Sequence, residues 1–214
     1  MTLDILQAIA AGIPWTLALT ATAFVIGAIL GQPLCAMRFS QLTAVRLLAT
    51  SLILTFRSIP PIVWLFLIFF GLGSGYLQIS PFQAAAAGLG LITAANMAEI
   101  YRGALSAIHP GQWDAASALN LSTRHRFLDV IGPQLLRVAL PSSASYAIGL
   151  LKDSAIASTI GVSEIAFQAY HTSQRTFHAL DIYAIAGLLY ILMSLPMAWL
   201  TRWADVKLRA RVAR

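Results

Sequence analysis

An uncharged stretch near the middle of this chain decides its fold. Ser58 to Ala98 reads SIPPIVWLFLIFFGLGSGYLQISPFQAAAAGLGLITAANMA, which is 41 residues without a Lys, Arg, Asp or Glu. A helix needs about 20 mostly apolar residues to cross a bilayer, so the stretch is too long for one crossing. Gly71, Gly73 and Gly75 favour a turn within it, because glycine has no Cβ and adopts backbone conformations that turns require. The stretch therefore predicts two membrane-spanning helices, one on either side of a turn over Gly71–Gly75.

The composition of the whole chain supports the same interpretation. Of its 214 residues, 58% are hydrophobic and 10% are charged, and the mean hydropathy is +0.76. A soluble domain carries roughly 25% charged residues. Two further gaps without charge lie between Asp4 and Arg38 and between Asp181 and Arg202. These features predict a membrane protein, and they offer no soluble basic face that could bind nucleic acid.

We predict an all-α protein with five transmembrane helices in a single membrane domain, residues 1–214. The predicted spans are Gly12–Ala36, Arg46–Phe70, Phe82–Arg102, Ser142–Gly161 and Ile182–Thr201. The second span carries a break at Pro60-Pro61. A polar segment, residues 109–141, separates the third span from the fourth.

The distribution of Lys and Arg predicts the orientation of the chain. With five spans and a cytoplasmic C-terminus, 12 of the 14 Lys and Arg residues fall in or beside inner loops and the tail. Positive residues favour the cytoplasmic side of a membrane protein. The N-terminus is therefore predicted to lie outside, and the polar segment inside. The basic tail, Lys207–Arg214, is expected to lie against anionic lipid headgroups.

The polar segment has the pattern of two short helices. Three alanines favour a helix over Gln112–Leu119, and Asn120 is predicted to end it in a left-handed conformation. Ser122 can cap a second helix, and Pro133 and Pro141 mark the approach to the fourth span. The pattern alone leaves two interpretations open. The helices lie on the membrane surface, or they form a docking element for another protein.

The polar segment resembles the EAA loop of ABC importer permeases. It has Asp114-Ala115-Ala116, then Asn120, then Gly132-Pro133. Further blocks, in the same order, resemble the subgroup that imports polar amino acids. These blocks are GIPWTLALT (Gly12–Thr20), TFRSIPPIVWLFLIFFGLG (Thr55–Gly73), AEIYRGALSAI (Ala98–Ile108), GQWDAASALNLS (Gly111–Ser122) and LLKDSAIASTIGVSEI (Leu150–Ile165).

The resemblance implies a type I ABC importer permease fold in a bacterial inner membrane, and a function in importing polar amino acids or related compounds such as opines. The implied partners are a second permease subunit, two ATPase subunits and a periplasmic substrate-binding protein. The chain itself would be non-catalytic and would hold no cofactor, since ATP and Mg²⁺ belong to the ATPases. The first helix of the loop would be a coupling helix that docks on an ATPase. Its implied docking residues are Asp114, Ala115, Ala116, Leu119, Asn120 and Leu121.

The chain departs from the subgroup's pattern at several positions. Asp114 stands where the loop has Glu, Asn120 where it has Gly, and Gly132 where it has Leu. Trp64 replaces a frequent Gln of the second span, and Asn96 replaces a frequent Tyr of the third. Because the last two changes remove groups expected near a ligand, we predict a heterodimer whose other permease makes more substrate contacts. A homodimer remains the alternative.

Polar and charged residues inside the spans are the candidates for a substrate pathway. They are Arg57, Trp64, Asn96, Glu99, Lys152, Asp153 and Ser154. Intramembrane charges are costly and usually face the protein interior or water. Counted from Pro141 at about 1.5 Å per residue, Lys152 and Asp153 lie about 16–18 Å along a span, near its middle. Two interpretations stay open: the four charges form buried ion pairs that fix helix packing, or they line a polar cavity for a zwitterion.

Other functions fit the sequence less well. The chain has no GxxxxGK[ST] pattern, so it is not expected to bind ATP, and its His residues lack metal-ligand spacing. A secondary transporter or channel would need no ATPase, but such proteins often have repeated halves, and none is visible. A membrane scaffold would have no need of charges within its spans.

Overall fold

The computed structural model describes residues 2–73 and 78–210, and these residues form helices with no strand among them. The helices are α1 (Thr2–Ala10), α2 (Ile13–Arg38), α3 (Thr43–Ser58), α4 (Pro61–Phe66), α5 (Pro81–Ser106), α6 (Pro110–Ala118), α7 (Thr123–His125), α8 (Gly132–Asp153), α9 (Ile165–Thr176) and α10 (Ala179–Ala210). Two π-helical segments (Leu67–Leu72 and Arg126–Ile131) and a 3₁₀ segment (Ser154–Ile160) extend them. The all-α prediction is confirmed.

Helices α2 and α5 form the centre of the molecule and run in the same direction. Gly27 faces Thr93 and, about one turn later on both helices, Gly31 faces Met97. A Cβ atom on Gly27 would lie 2.2 Å from the Thr93 side chain, and one on Gly31 would lie 2.8 Å from that of Met97. Small residues let membrane helices approach closely enough for van der Waals packing to hold them. The shared direction is the one expected of the first and third in a series of spans.

Helix α5 begins close to the predicted start of the third span. Ser80 and Gln83 form a capping box there: the Ser80 hydroxyl accepts from the Gln83 N–H at 3.2 Å, and the Gln83 side chain accepts from the Ser80 N–H at 2.9 Å. Each residue satisfies a backbone donor that the first helical turn leaves free. Pro81 occupies the first helical position, where its missing N–H carries no penalty.

The second predicted span is a bent pair of helices. Helix α3 ends at Ser58, and the segment from Pro61 to Leu72 leaves it at 102°. Proline lacks a backbone donor and disfavours helical backbone in the residue before it, so Pro60-Pro61 ends α3. The sequence predicts the break but not its angle, because the angle depends on how α4 packs against α5.

The predicted glycine turn starts later than expected. Helical backbone continues through Gly71 and Leu72, so the turn does not begin at Gly71. Glycine permits a turn without requiring one, and here the aromatic residues before it continue the helix. Ser74 and Gly75 lie outside the described residues, as do the side chains of the basic tail.

The fourth span starts ten residues before its predicted start at Ser142. Helix α8 begins at Gly132 and passes through Pro141. Pro133 lies in the first turn of α8, where a proline is tolerated. In a membrane helix, neighbouring helices and side chains can satisfy the carbonyl that an internal proline leaves free.

The far end of the fourth span also differs from the prediction. The α-helix ends at Asp153 and continues as a 3₁₀ segment to Ile160, before Gly161 turns the chain with a φ of +94°. Lys152 and Asp153 therefore lie at the end of α8, and their depth in the membrane stays a prediction.

Length and apolarity support fewer spans than five. Within residues 2–73 and 78–210, two continuous segments, Asp4–Arg38 and Ala179–Trp203, are long and apolar enough to cross a membrane, and the bent pair gives a third. Helices α5 and α8, with 26 and 22 residues, are about 39 and 33 Å long and could each cross a core about 30 Å thick. Their polar residues lower their mean hydropathy. The count of five spans stays a prediction.

Candidate functional site

The short helix predicted over Gln112–Leu119 is present as α6, and its start is capped. Pro110 occupies the first helical position. The His109 side chain precedes it and accepts a hydrogen bond at Nδ1 from the Gly111 N–H, at 3.1 Å. The helix therefore starts two residues before the predicted Gln112, because the proline and the histidine cap together define its first turn.

The end of α6 is a complete Schellman motif. The Leu121 N–H donates to the Ala116 carbonyl at 3.2 Å, and the Asn120 N–H donates to the Ser117 carbonyl at 2.9 Å. Asn120 adopts a φ of +52°, which confirms its predicted left-handed conformation. Both ends of this nine-residue helix are thus fixed by hydrogen bonds outside the regular helical pattern.

The predicted docking residues divide into outward-facing and inward-facing groups. Asp114, Ala115 and Asn120 are exposed, and Leu119 is 74% exposed. Ala116 is only 2% exposed. It packs within its own chain, so it has no surface to offer another subunit.

A pair of glutamines joins α6 to the start of α8. The Gln134 side chain donates to Gln112 Oε1 at 2.9 Å and to the Val130 carbonyl at 2.9 Å. The Ser122 hydroxyl caps the second helix, as predicted, by accepting from the His125 N–H at 3.4 Å. That helix is not a separate surface helix, because helical backbone continues from it into α8.

Asn96, one of the predicted pathway residues, lies in a polar cluster on α5 and α8. Its amide nitrogen donates to the Ile92 carbonyl at 2.9 Å and lies 3.4 Å from the Tyr146 hydroxyl. The Thr93 and Tyr146 hydroxyls are 3.3 Å apart. Sequence reasoning missed Tyr146, since a single tyrosine in an apolar span gives no pattern that distinguishes it from core packing.

Glu99 forms the centre of a charged cluster with Arg38 and Arg102. Arg102 donates to Glu99 Oε2 from both Nε and a terminal nitrogen, at 3.0 and 2.9 Å. Arg38 Nε lies 3.6 Å from Glu99 Oε1, and the Arg38 guanidinium also donates to Thr50 on α3. Glu99 therefore holds α2, α3 and α5 together. Of the four charges, Glu99 forms ion pairs that fix helix packing, and its partners are Arg38 and Arg102.

Arg57, Lys152 and Asp153 have a different environment from Glu99. All three are exposed, and none forms an ion pair with any residue that the structure describes. Arg57 and Asp153 nevertheless lie close enough to Tyr146 to act on it electrostatically. Charges exposed within a span need either water or another protein surface. Ser154 contributes packing instead: it is fully buried and donates to the Leu151 carbonyl at 2.8 Å.

Trp64 lies directly after the bend between α3 and α4. Its ring packs on Phe56 across that bend, with ring centroids 4.6 Å apart. The indole Nε1–H is buried and has no acceptor within residues 2–73 and 78–210. A buried tryptophan donor usually finds a partner. Trp64 therefore braces the bend while leaving one donor free.

A second polar cluster, which the sequence did not reveal, surrounds Glu164 in the segment that follows the fourth predicted span. Glu164 is completely buried and accepts hydrogen bonds from the Phe167 N–H at 2.8 Å and from the Tyr190 hydroxyl. The Thr16 hydroxyl accepts from the Ile165 N–H at 3.3 Å. A Cβ on Gly12 would lie 2.5 Å from the same backbone. Burial raises the pKa of the Glu164 carboxyl.

Two of the four histidines, His125 and His178, have local carboxylate partners. His125 Nδ1 lies 2.9 Å from Asp129, and His178 Nδ1 lies 3.9 Å from Asp181. Both are exposed pairs within one helical turn, of a kind that contributes little to stability. Among the described residues, no three His, Cys, Asp or Glu side chains are grouped so that they could hold a metal ion.

Comparison with known sequences gives consistent matches along the chain. Residues 23–210 match the family described as binding-protein-dependent transport system inner membrane component. The probable amino-acid ABC transporter permease YckA of Bacillus subtilis is 35% identical, over 84% of this chain and 79% of that protein. The nopaline transport system permease NocM of Agrobacterium fabrum is 30% identical, over 94% and 90%.

Comparison with solved structures gives the same result for the fold. The chain superposes on a subunit from the crystal structure of an amino acid ABC transporter with histidines, with a TM-score of 0.89 and 30% identity over 96% of both chains. It also superposes on a chain of the MetNI methionine ABC transporter in an inward-facing conformation, with a TM-score of 0.80. That second match, at 21% identity, is a likeness of fold alone.

Proposed function

Because this chain belongs to the family of binding-protein-dependent transport system inner membrane components, and is thus a membrane permease subunit of an ABC importer, we propose that its cargo is a polar amino acid or a related compound such as an opine. The full-length likeness to a subunit of an amino acid ABC transporter carries this proposal. Relatives named for amino acids and for nopaline support the same substrate class.

The coupling to ATP hydrolysis lies in α6. Asp114, Ala115 and Leu119 form its exposed surface and contact the ATPase, whereas Ala116 and Leu121 hold the helix against its own chain. Asn120 ends the helix at a fixed place. ATP and Mg²⁺ bind to the partner ATPases, and this chain carries no catalytic residue of its own.

The substrate pathway runs beside Tyr146 and Asn96. Arg57 and Asp153 are exposed charges of opposite sign that act on Tyr146, and neither forms an ion pair with a described residue. A zwitterion offers a carboxylate to Arg57 and an ammonium group to Asp153, and such pairing repays the cost of intramembrane charge. Lys152 lies beside Asp153 at the end of α8. Glu99, Ser154 and Trp64 support the pathway through packing and pairing.

The assembled importer contains two permeases, two ATPases and a periplasmic substrate-binding protein. Residues 1–214 form one membrane domain with its N-terminus outside, its C-terminus in the cytoplasm and residues 109–141 as the cytoplasmic loop. We favour a heterodimer of permeases, because Trp64 replaces a polar residue expected near the ligand. Two differently tagged copies of this chain test that preference: co-purification of the two tags in an ATPase-competent complex without another permease contradicts it.

The function is tested in proteoliposomes that contain the chain with its ATPase and partner permease. Binding protein loaded with a polar amino acid is expected to stimulate ATP hydrolysis and to drive uptake of the labelled amino acid. The substitution Asp153→Asn is expected to reduce uptake while leaving the basal ATPase rate in place. If no amino acid or opine stimulates hydrolysis, the proposed substrate class is wrong.

A further inference from the structure

Given the proposed docking of α6 on an ATPase, on which this rests, we infer that Gln134 is a positioning residue that makes α8 follow the movement of α6. Gln134 touches neither the ATPase nor the substrate in this role. It acts on the connection between the two helices. That connection is where movement would be lost, because its backbone is irregular.

The helical backbone between α6 and α8 is interrupted twice. Residues Arg126–Ile131 form a π-helical segment, and at its end the Gly132 N–H donates to the Phe127 carbonyl five residues earlier. Pro133 follows and supplies no N–H to the continuous helix. A helix bends most readily where its hydrogen-bond ladder is disrupted. Without a further contact, a movement of α6 would be absorbed here and would not reach α8.

The side chain of Gln134 bridges this interruption. Its Nε2 donates to the Val130 carbonyl, within the π-helical segment, and to Gln112 Oε1 on α6, both at 2.9 Å. A carbonyl can only accept, so Val130 fixes Nε2, and not Oε1, as the end of Gln134 that faces α6. Gln112 must then present its oxygen. One side chain thus joins α6, the π-helical segment and α8.

Apolar packing supports the same contact but cannot fix its register. Ala116 on α6 and Ile131 at the end of the π-helical segment are both buried, and α6 contacts that segment. Apolar burial is non-directional, whereas a hydrogen bond requires a particular distance and angle. The packing therefore keeps α6 near the segment, and Gln134 sets where α6 lies along it.

Two glutamate substitutions separate the hydrogen bonds from the effect of charge. Gln134→Glu keeps the length of the side chain, but a carboxylate cannot donate, so both hydrogen bonds are lost. Gln112→Glu places the same charge on the other side of the contact and keeps an accepting oxygen, so the bond from Gln134 becomes charge-assisted. We expect the first variant to uncouple the helices and the second to leave them coupled.

Fluorescence from the far end of α8 can follow this coupling while ATP binds, without any transported substrate. The permease is purified with its partner permease and ATPases, and it carries Cys35→Ala and Gly149→Cys with bimane on the single thiol. A Cβ at Gly149 meets nothing within 4 Å, so the label fits there. Trapping with ATP and vanadate is expected to change the bimane emission. Gln134→Glu should reduce that change about fivefold, as expected for the loss of two neutral hydrogen bonds, and Gln112→Glu should keep it.

Two further measurements separate coupling from folding and from docking. The thermal unfolding midpoint and the amount of ATPase that co-purifies are expected to be the same in both glutamate variants and in the labelled complex without them. If Gln134→Glu fails to assemble, Gln134→Leu removes the same donor without adding a charge.

Three results would overturn the inference while leaving the docking of α6 in place. They are an unchanged emission on trapping in the complex without a glutamate variant, an equal change in Gln134→Glu, and equal losses in both glutamate variants. The last would mean that charge, and not the hydrogen bond, controls the movement. A permease that binds no ATPase would instead contradict the proposed docking of α6, and the role of Gln134 with it.

Discussion

Among single side chains, Asp114 offers the sharpest test of coupling. It is exposed on α6, so the substitution Asp114→Arg should leave the fold within about 0.5 kcal/mol of its stability. Reversing a charge at a docking surface places like charges together, and we expect binding-protein-stimulated ATPase activity to fall about tenfold. Stimulated and basal ATPase rates of the purified complex provide the measurement.

The matched control for Asp114 is Asp129→Arg in the same polar segment. Asp129 is also exposed and, among the described residues, pairs with His125 alone, so its reversal should leave stimulation close to the wild-type value. Equal losses in both variants would mean that the net charge of the segment, and not docking by α6, controls the rate.

The buried carboxyl of Glu164 should make the unfolding stability of the protein depend on pH. Burial raises the pKa of its carboxyl in the folded protein above the ordinary value of about 4.3. The folded state then binds the proton more tightly than the unfolded state, so stability is highest at low pH. It falls as the pH rises from about 4.3 through the raised pKa. Glu164→Gln removes the charge, keeps one accepting oxygen and can donate to the Tyr190 hydroxyl, and its unfolding midpoint should lack this fall.

Thermal unfolding of purified wild type and Glu164→Gln between pH 4 and pH 8 measures the effect. The control is Asp181→Asn, whose side chain is 78% exposed and should leave the pH profile unchanged. Parallel profiles for wild type and Glu164→Gln would show that Glu164 has the same pKa in the folded and unfolded protein.

Single residues also show how far sequence reasoning extends. Asn120 could be predicted because a left-handed conformation is a local property of a few residue types. Tyr146 and Glu164 could not, because their importance comes from groups 50 and 26 residues away in the chain. The same limit applies to the charged residues within the spans. The sequence identifies Arg57, Lys152, Asp153 and Glu99 as candidates, but their ion-pair partners depend on how four helices are arranged.

At the level of helices, replacing glycine by alanine should have opposite effects on stability at a packed position and at an open one. Gly27→Ala places a Cβ 2.2 Å from Thr93, and overpacking of this kind costs about 1–3 kcal/mol. Gly103→Ala adds a methyl group to α5 with nothing within 4 Å, and should stabilise the helix by about 0.5–1 kcal/mol. Unfolding of each variant in the same detergent measures both effects.

If Gly27→Ala were as stable as wild type, the two helices would have to separate without loss, and the close contact would not matter to the fold. If Gly103→Ala lowered the stability of the complex, a partner subunit would have to pack on that face of α5.

The sequence predicts a helix boundary well where a nearby side chain caps the helix. It predicts the boundary poorly where a proline is taken to end the helix. Ser80 and Ser122 cap helices within reach of their own neighbours. Pro141 was expected to precede the fourth span, yet it lies inside α8. A proline interrupts a helix only when nothing else satisfies the carbonyl it leaves free, and that depends on neighbouring helices.

At the level of the whole molecule, the distribution of charge predicts one orientation. Reporter fusions at the C-terminus should be active if the reporter folds in the cytoplasm, and inactive if it requires the periplasm. Fusions at the N-terminus should behave in the opposite way, because an odd number of spans puts the two ends on opposite sides. Periplasmic activity at the C-terminus would overturn the five-span topology, which length and apolarity alone leave at two or three spans.

The continuous path from α6 through the Gln112–Gln134 hydrogen bond into α8 gives the molecule a lever arm. Helix α8 has 22 residues and is about 33 Å long. With a fulcrum near Gly132, a tilt of about 5° displaces Asp153 sideways by about 3 Å, from the length of the helix. That displacement is comparable to a hydrogen-bond length. A small rotation imposed at the water-exposed end of α8 is therefore enough to make or break a contact at its far end.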